Sequence, residues 1–159
     1  MSRKLPKGEA ALPLVLQDFL PYRLAVLAEA VSRSIAQVYT ARFDLSRDEW
    51  RVLAALAETG TMKTRDAALY ATLDKMQVSR AVAGLERAGL IDREEDAGDR
   101  RNRILTLTPA GRALLRRLTP MVQAREDFLL EALEPEELAV LDRAIDRLLE
   151  RARQLERQG

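Results

Sequence analysis

The side chains best placed to do chemistry in this 159-residue chain are cationic and amide groups on one helix face, followed closely by a knot of arginines. At 100° per residue, Val78, Ala81, Val82 and Leu85 fall on one side of a helix predicted over about 75–88 and would bury it. The other side carries Met76, Arg80, Ala83 and Arg87, with Gln77, Ser79 and Gly84 on its flanks. A guanidinium such as that of Arg80 can fork onto a guanine edge, and the carboxamide of Gln77 onto an adenine edge. Met76 could touch a thymine methyl, while Lys75 and Ser79 suit phosphate oxygens. Small Ala83 and Gly84 would let such a helix approach a duplex closely. One arginine and one glutamine are also common on any solvated helix, so this face alone leaves both readings open.

The arginines that follow shift the balance. Arg100, Arg101 and Arg103 crowd a polar turn beside Asp99, and Arg93 stands at its base. Arginines on a protruding hairpin suit the negative potential of a minor groove. Asp99 is expected to pair with one of them and orient the turn, since a carboxylate facing phosphates is repelled. The charge distribution agrees. The whole chain is only +1, yet residues 60–117 carry +4 and residues 118–159 carry −4, an asymmetry that points to an anionic partner.

The elements that must position these groups can be read from caps and periodicity. Residues 1–18, with Pro6, Gly8 and Pro13, read as a flexible arm. Leu24, Leu27, Val31, Ile35 and Val38 then mark one stripe of a long helix over about 19–43. Ser46 and Glu49 form a Ser-x-x-Glu capping box for a second helix, which Gly60 ends. Thr64 is expected to cap a short helix at about 65–70. After a turn at Ala71–Leu73, Asp74 caps the next helix with Gln77 as reciprocal partner. Two short helices joined by a tight turn are a helix-turn-helix candidate. A hairpin follows, with strands at about 90–94 and 102–107 and a turn at Glu95–Asp99. Thr108 and Pro109 open a long helix to about Leu133. The last helix carries Leu138, Leu141, Ile145, Leu148, Ala152 and Leu155 in alternating steps of three and four, a narrow heptad seam among charged residues. Seam width alone leaves packing within the chain and packing between subunits equally open.

Composition excludes several classes. The chain has no cysteine and no histidine, which removes disulfides, thiol chemistry, imidazole or thiolate zinc sites and Ser-His-Asp triads. Gly60–Thr64 superficially resembles the end of a phosphate-binding loop, but lacks the upstream glycine and strand. An enzyme is therefore not expected, nor is a cofactor or a metal. The apolar stretch at Ala10–Leu16 is too short to span a bilayer and lacks a signal-peptide cleavage pattern, so no membrane partner and a cytoplasmic location are expected.

Two motifs carry a family resemblance. Leu45-Ser46 through Trp50-Arg51-Val52-Leu53, then Val78-Ser79-Arg80-Ala81-Val82 and Leu85 to Arg93, resemble the MarR family of bacterial regulators. So does Asp96 to Gly111, where the family's Asp-x-x-Asp-Arg-Arg wing is met without gaps, with Ala97 in place of the usual proline. The resemblance implies a mainly α fold with a small β-hairpin wing. A winged helix-turn-helix domain at 44–108 would join a helical dimerisation domain built from 19–43 and 109–159. It implies a homodimer in which the 138–155 seam is a subunit contact and each copy meets half of a palindromic operator in double-stranded DNA. It implies ligand-responsive repression, and an effector pocket receiving Tyr39, Arg42, Trp50 and Arg51, which would suit an aromatic acid or its CoA thioester. The DNA-contacting set would be Lys75, Met76, Gln77, Ser79, Arg80, Arg87, Arg93, Arg100, Arg101 and Arg103. The rival expectation is a winged helix that binds protein rather than DNA.

Overall fold

The computed structural model describes residues 14–158, and the side chains of Arg100 and Arg101 lie outside the described part. Most of the expected N-terminal arm, up to residue 13, lies outside it as well. The chain divides into two compact units, Met1–Ser34 and Ile35–Gly159. In the first, a single 3-10 turn at Leu16–Asp18 precedes the opening turns of helix α1 (Leu20–Phe43). Leu24, Val26 and Leu27 are exposed there. The apolar stripe of α1 thus changes role along its length, because Val38 and Tyr39, beyond the unit boundary, are buried.

The second unit holds the end of α1 and eight further elements. These are α2 (Arg47–Thr59), β1 (Thr61–Lys63), α3 (Thr64–Tyr70), α4 (Lys75–Arg87), β2 (Ile91–Asp96), β3 (Asp99–Leu107), α5 (Pro109–Leu130) and α6 (Pro135–Gln158). The core is an apolar cluster in which Val52, Leu53 and Leu56 of α2 meet Val78, Ala81, Val82 and Leu85 of α4. Ile91, Leu105 and Leu107 of the sheet and Leu115 and Leu118 of α5 close it. The α4 face expected to be buried is the buried one.

Capping fixes the register of these helices. The Ser46 hydroxyl accepts from Glu49 N, and Glu49 Oε2 accepts from Ser46 N at 2.8 Å. Gly60 takes the left-handed conformation (φ 73°) that ends α2. At α4, Asp74 Oδ1 accepts from both Met76 N and Gln77 N at 2.8 Å, while Gln77 Oε1 accepts from Asp74 N at 2.9 Å. Thr64 does not cap as expected. Lys63 occupies the N-cap position of α3, and the Thr64 hydroxyl instead donates to the Arg103 carbonyl, tying α3 to the wing.

The sheet is larger than expected. It has three antiparallel strands in the order β1-β3-β2, not two. Strand β1 pairs Thr61 with Thr106 and Lys63 with Ile104. The wing strands are also longer than expected, and the turn between them contracts to Ala97–Gly98. Cross-strand pairing of Glu95 with Arg103 and Asp96 with Asp99 draws residues of the expected turn into the ladder, with a register shift at Glu95/Asp96.

Thr108 joins the wing to α5. Its hydroxyl donates to Gly89 O at 2.7 Å and accepts from Gly111 N at 3.0 Å, and its own N–H reaches Leu90 O. Helix α5 ends at Leu130, a few residues short of expectation, and contains Pro120. Helix α6 has no buried residue: Leu141, Ile145, Leu148 and Leu155 of the seam are all exposed in the single chain. The seam therefore does not pack on its own chain to any depth. No helix among the described residues is long and apolar enough to cross a membrane.

Candidate nucleic-acid interface

Helix α4 and the wing face a common groove of about 520 Å³. Its apolar lining comes from Ala68, Leu69, Val78 and Val82, of which Val78 and Val82 are buried and Leu69 stands exposed. Its rim is cationic: Arg65 from α3, Lys75 from α4, and Arg93 and Arg103 from the wing, with Ser79 and Asn102 between them. Four residues expected to contact DNA, Lys75, Ser79, Arg93 and Arg103, are thus brought to one place. Arg65 and Asn102 join them with only a faint signal in the sequence, since neither lies on the exposed face of α4 and only the closing of α3 onto β3 brings them in.

Met76 and Arg80 stand exposed on α4 beside this groove. Arg87 is exposed in the last turn, where a cation also complements the helix dipole. Gln77 is only partly exposed, and the cap holds its amide oxygen. A bidentate reading of adenine needs that oxygen as well as the NH2 group, so Gln77 retains only its donor as long as the cap is intact. The cap also occupies the Met76 and Gln77 N–H groups at the start of α4.

Gly84 serves packing rather than approach to a duplex. A Cβ at this position would lie 2.0 Å from Glu49 Oε1, so the missing side chain makes room for the capping glutamate of α2.

The wing is held by an internal set of polar contacts. Asn102 Nδ2 donates to Asp99 Oδ2 at 2.8 Å, so Asp99 orients an amide on the wing. Arg93 pairs with Glu86 at 3.1 Å, and Arg103 pairs with Glu95. Lys63 of β1 reaches across β3 to Asp96 at 2.8 Å, and Gly98 N donates to the same carboxylate. The lysine hydrogen bond, followed by that of Gly98, holds the Asp96 carboxyl below its ordinary range, and the same contact raises the Lys63 ammonium.

The signs give a window for this latch. A depressed carboxyl stabilises the fold above its unfolded value of about 3.9, and the contribution is lost as pH falls through the lower folded value. A raised lysine stabilises below its unfolded value of about 10.4, and the contribution is lost as pH rises through the higher folded value. The latch is accordingly complete across neutral pH. Carboxyl carbon shifts should place the Asp96 midpoint below that of a free aspartate, with exchange of the Gly98 amide accelerating only in acid. Asp96→Asn should accelerate that exchange already at neutral pH. A midpoint at or above the free value would contradict the latch.

The four residues expected at an effector pocket are placed differently from one another. Tyr39 and Trp50 stack with ring centroids 5.8 Å apart, and Tyr39 is buried. Burial raises the Tyr39 phenol, so it stays neutral at physiological pH. Arg51 donates to the Ala71 carbonyl at 3.3 Å, tying α2 to the end of α3. Arg42 lies against Met121 of α5.

The comparisons with known proteins converge on one family. The MarR family profile matches residues 43–102, from the end of α1 into β3. The HTH-type transcriptional regulator FarR of Neisseria gonorrhoeae is 31% identical over 98 residues, 62% of this chain and 67% of that protein. The homoprotocatechuate degradative operon repressor of Escherichia coli is 28% identical over 108 residues, 68% of this chain and 72% of that one. Among solved structures, the MarR family regulator Sco3205 of Streptomyces coelicolor, in complex with DNA, superposes with a TM-score of 0.77. It is 23% identical, with 90% of this chain and 92% of that chain covered, a likeness of fold. Sequence and fold thus agree with the wing motif, and the chain belongs to the MarR family of winged helix-turn-helix transcriptional regulators.

Proposed function

We propose that two copies of this chain bind a palindromic operator and repress transcription until a small aromatic acid, free or as its CoA thioester, loosens the complex. The observation that carries the DNA reading is the shared groove. Lys75 and Ser79 of α4 face Arg93 and Arg103 of the wing across it, with Arg80 and Met76 exposed alongside. In this arrangement Arg80 reads a base edge in the major groove. Lys75, Ser79 and Arg87 bind phosphates, and Arg100, Arg101 and Arg103 approach the adjacent minor groove. The DNA complex of Sco3205 supports the same use of the fold.

The bare seam of α6 supports the homodimer. Exposed leucines and isoleucine in a heptad pattern, on a helix that buries nothing in its own chain, suit a twofold contact with a second copy. In such a dimer 19–43 and 109–159 supply the subunit contact, and 44–108 supplies the DNA-binding part. Repression and an aryl carboxylate effector draw support from the relative that represses a homoprotocatechuate degradative operon. The stacked Tyr39–Trp50 pair offers an aromatic surface for such an acid, and Arg51 is the one of the two expected arginines whose charge acts on Tyr39. Any effector acts only through its differential affinity for the bound and unbound spacings of the two DNA-binding parts.

Selection of bound sequences from random duplexes tests the reading. A twofold-symmetric motif is the expected result; an unenriched pool contradicts it.

A further inference from the structure

Glu86 and Glu95 have no place in the reading so far. Each holds one of the two wing arginines that line the groove. Glu86 projects from the end of α4 to Arg93 on β2, and Glu95 projects from β2 to its cross-strand partner Arg103 on β3. The side chains of Glu86 and Arg93 are each 39% exposed, and those of Arg103 and Glu95 are 42% and 63% exposed, although the Arg103 Nη1 that faces Glu95 is itself buried. Exposed pairs of this kind are weak and exchange readily for another anion. Arg80, by contrast, has no carboxylate partner among the described residues.

We infer that Glu86 and Glu95 are affinity-setting residues, occupying Arg93 and Arg103 in the free protein so that a DNA phosphate must displace them to reach the groove. The inference rests on the DNA reading proposed above. Its physical content is competition. A phosphate oxygen and a glutamate oxygen ask for the same guanidinium hydrogens, and a glutamate left beside the phosphate repels it. Both carboxylates therefore reduce binding to any duplex, and the base-reading face of α4 carries a larger share of the total. A regulator built this way gives up non-specific affinity and keeps sequence preference.

The test compares wild type, Glu86→Gln and Glu95→Gln on one selected duplex and on one unrelated duplex, across a salt series. Glutamine keeps the size and removes the charge. Each substitution should tighten binding to both duplexes roughly two- to fivefold. The salt dependence should steepen by up to about 0.9 for each arginine freed to meet a phosphate. The gain from Glu86→Gln should vanish in an Arg93→Ala background, and that from Glu95→Gln in an Arg103→Ala background. Glu150→Gln, on α6 outside the groove, removes the same charge and should give a smaller gain. Weaker binding by the glutamine variants would overturn the inference, because the carboxylates would then be positioning the arginines for DNA. Unchanged affinity and slope, an equal gain from Glu150→Gln, or a gain that survives loss of the arginine would overturn it too. If wild type enriches no sequence and binds neither duplex, the DNA reading itself fails, an outcome distinct from all of these.

Discussion

Arg80→Ala should weaken binding to the selected duplex by about a hundredfold or more while leaving binding to unrelated duplexes nearly unchanged. Arg80 is exposed on the face of α4 opposite the buried Val78, Ala81, Val82 and Leu85. The Asp74–Gln77 capping box fixes the start of that helix, and burial of the four apolar residues fixes its rotation. An arginine held in this way is suited to a guanine edge, and such a contact contributes about 1–3 kcal/mol of discrimination. In a dimer the loss is taken at both half-sites, which compounds the effect. Lys75→Ala is the contrasting case. A phosphate contact should be lost uniformly across sequences, with the salt dependence flattened by about 1. Mobility-shift titrations of both variants on both duplexes decide the matter. Equal loss on both duplexes for Arg80→Ala would remove it from base reading.

The second large effect is structural. Gly111→Ala should destabilise the protein by about 3 kcal/mol, a typical value for forcing atoms into a filled site. A Cβ there would lie 2.1 Å from the Leu90 carbonyl oxygen and 3.2 Å from Leu107 Cδ2. The first of these atoms is backbone and already accepts from Thr108 N, so it cannot turn aside as a side chain would. Moving it loosens the Thr108 staple that holds the base of the wing against the start of α5. Thermal unfolding should show Tm lowered by roughly 6–12 °C, given about 2–4 °C per kcal/mol at this size. Gly98→Ala is the matched control. Its Cβ would meet only Asp96 Oδ1 at 3.5 Å, an ordinary contact, so Tm should hardly move. Similar Tm values for Gly111→Ala and wild type would contradict the packing described.

Caps and periodicity placed α2, α4 and the start of α5, because Ser46, Asp74 and Thr108 act on backbone groups two or three residues away. Strand β1 was not legible. Three residues, Thr61–Lys63, are too short for alternation to register, and they are extended only because β3 pairs with them. The type of Thr64 suggests a cap, yet its hydroxyl is drawn to Arg103 O once β3 lies beside α3. The solvent-exposed side of α4 is legible as a stripe, but not the division of labour within it. Gln77 serves the cap and Gly84 accommodates Glu49, both through contacts that periodicity does not encode. The carboxylates that hold Arg93 and Arg103 were equally invisible, since one pair joins separate elements and the other depends on hairpin register. The bare seam of α6 could be seen in the sequence as a pattern, and the structure adds that its own chain leaves it uncovered.

On the reading proposed above, two copies present two α4 helices to one face of a duplex. The half-site spacing in sequences selected from random duplexes tests it most directly. Twofold symmetry requires two inverted half-sites with centres about one helical turn apart, roughly 10 base pairs or a multiple of it. Enriched duplexes should carry that palindrome, and the Arg80→Ala variant should lose preference at one matched position in each half. A single asymmetric half-site, or half-sites at spacings unrelated to the helical turn, would contradict the account.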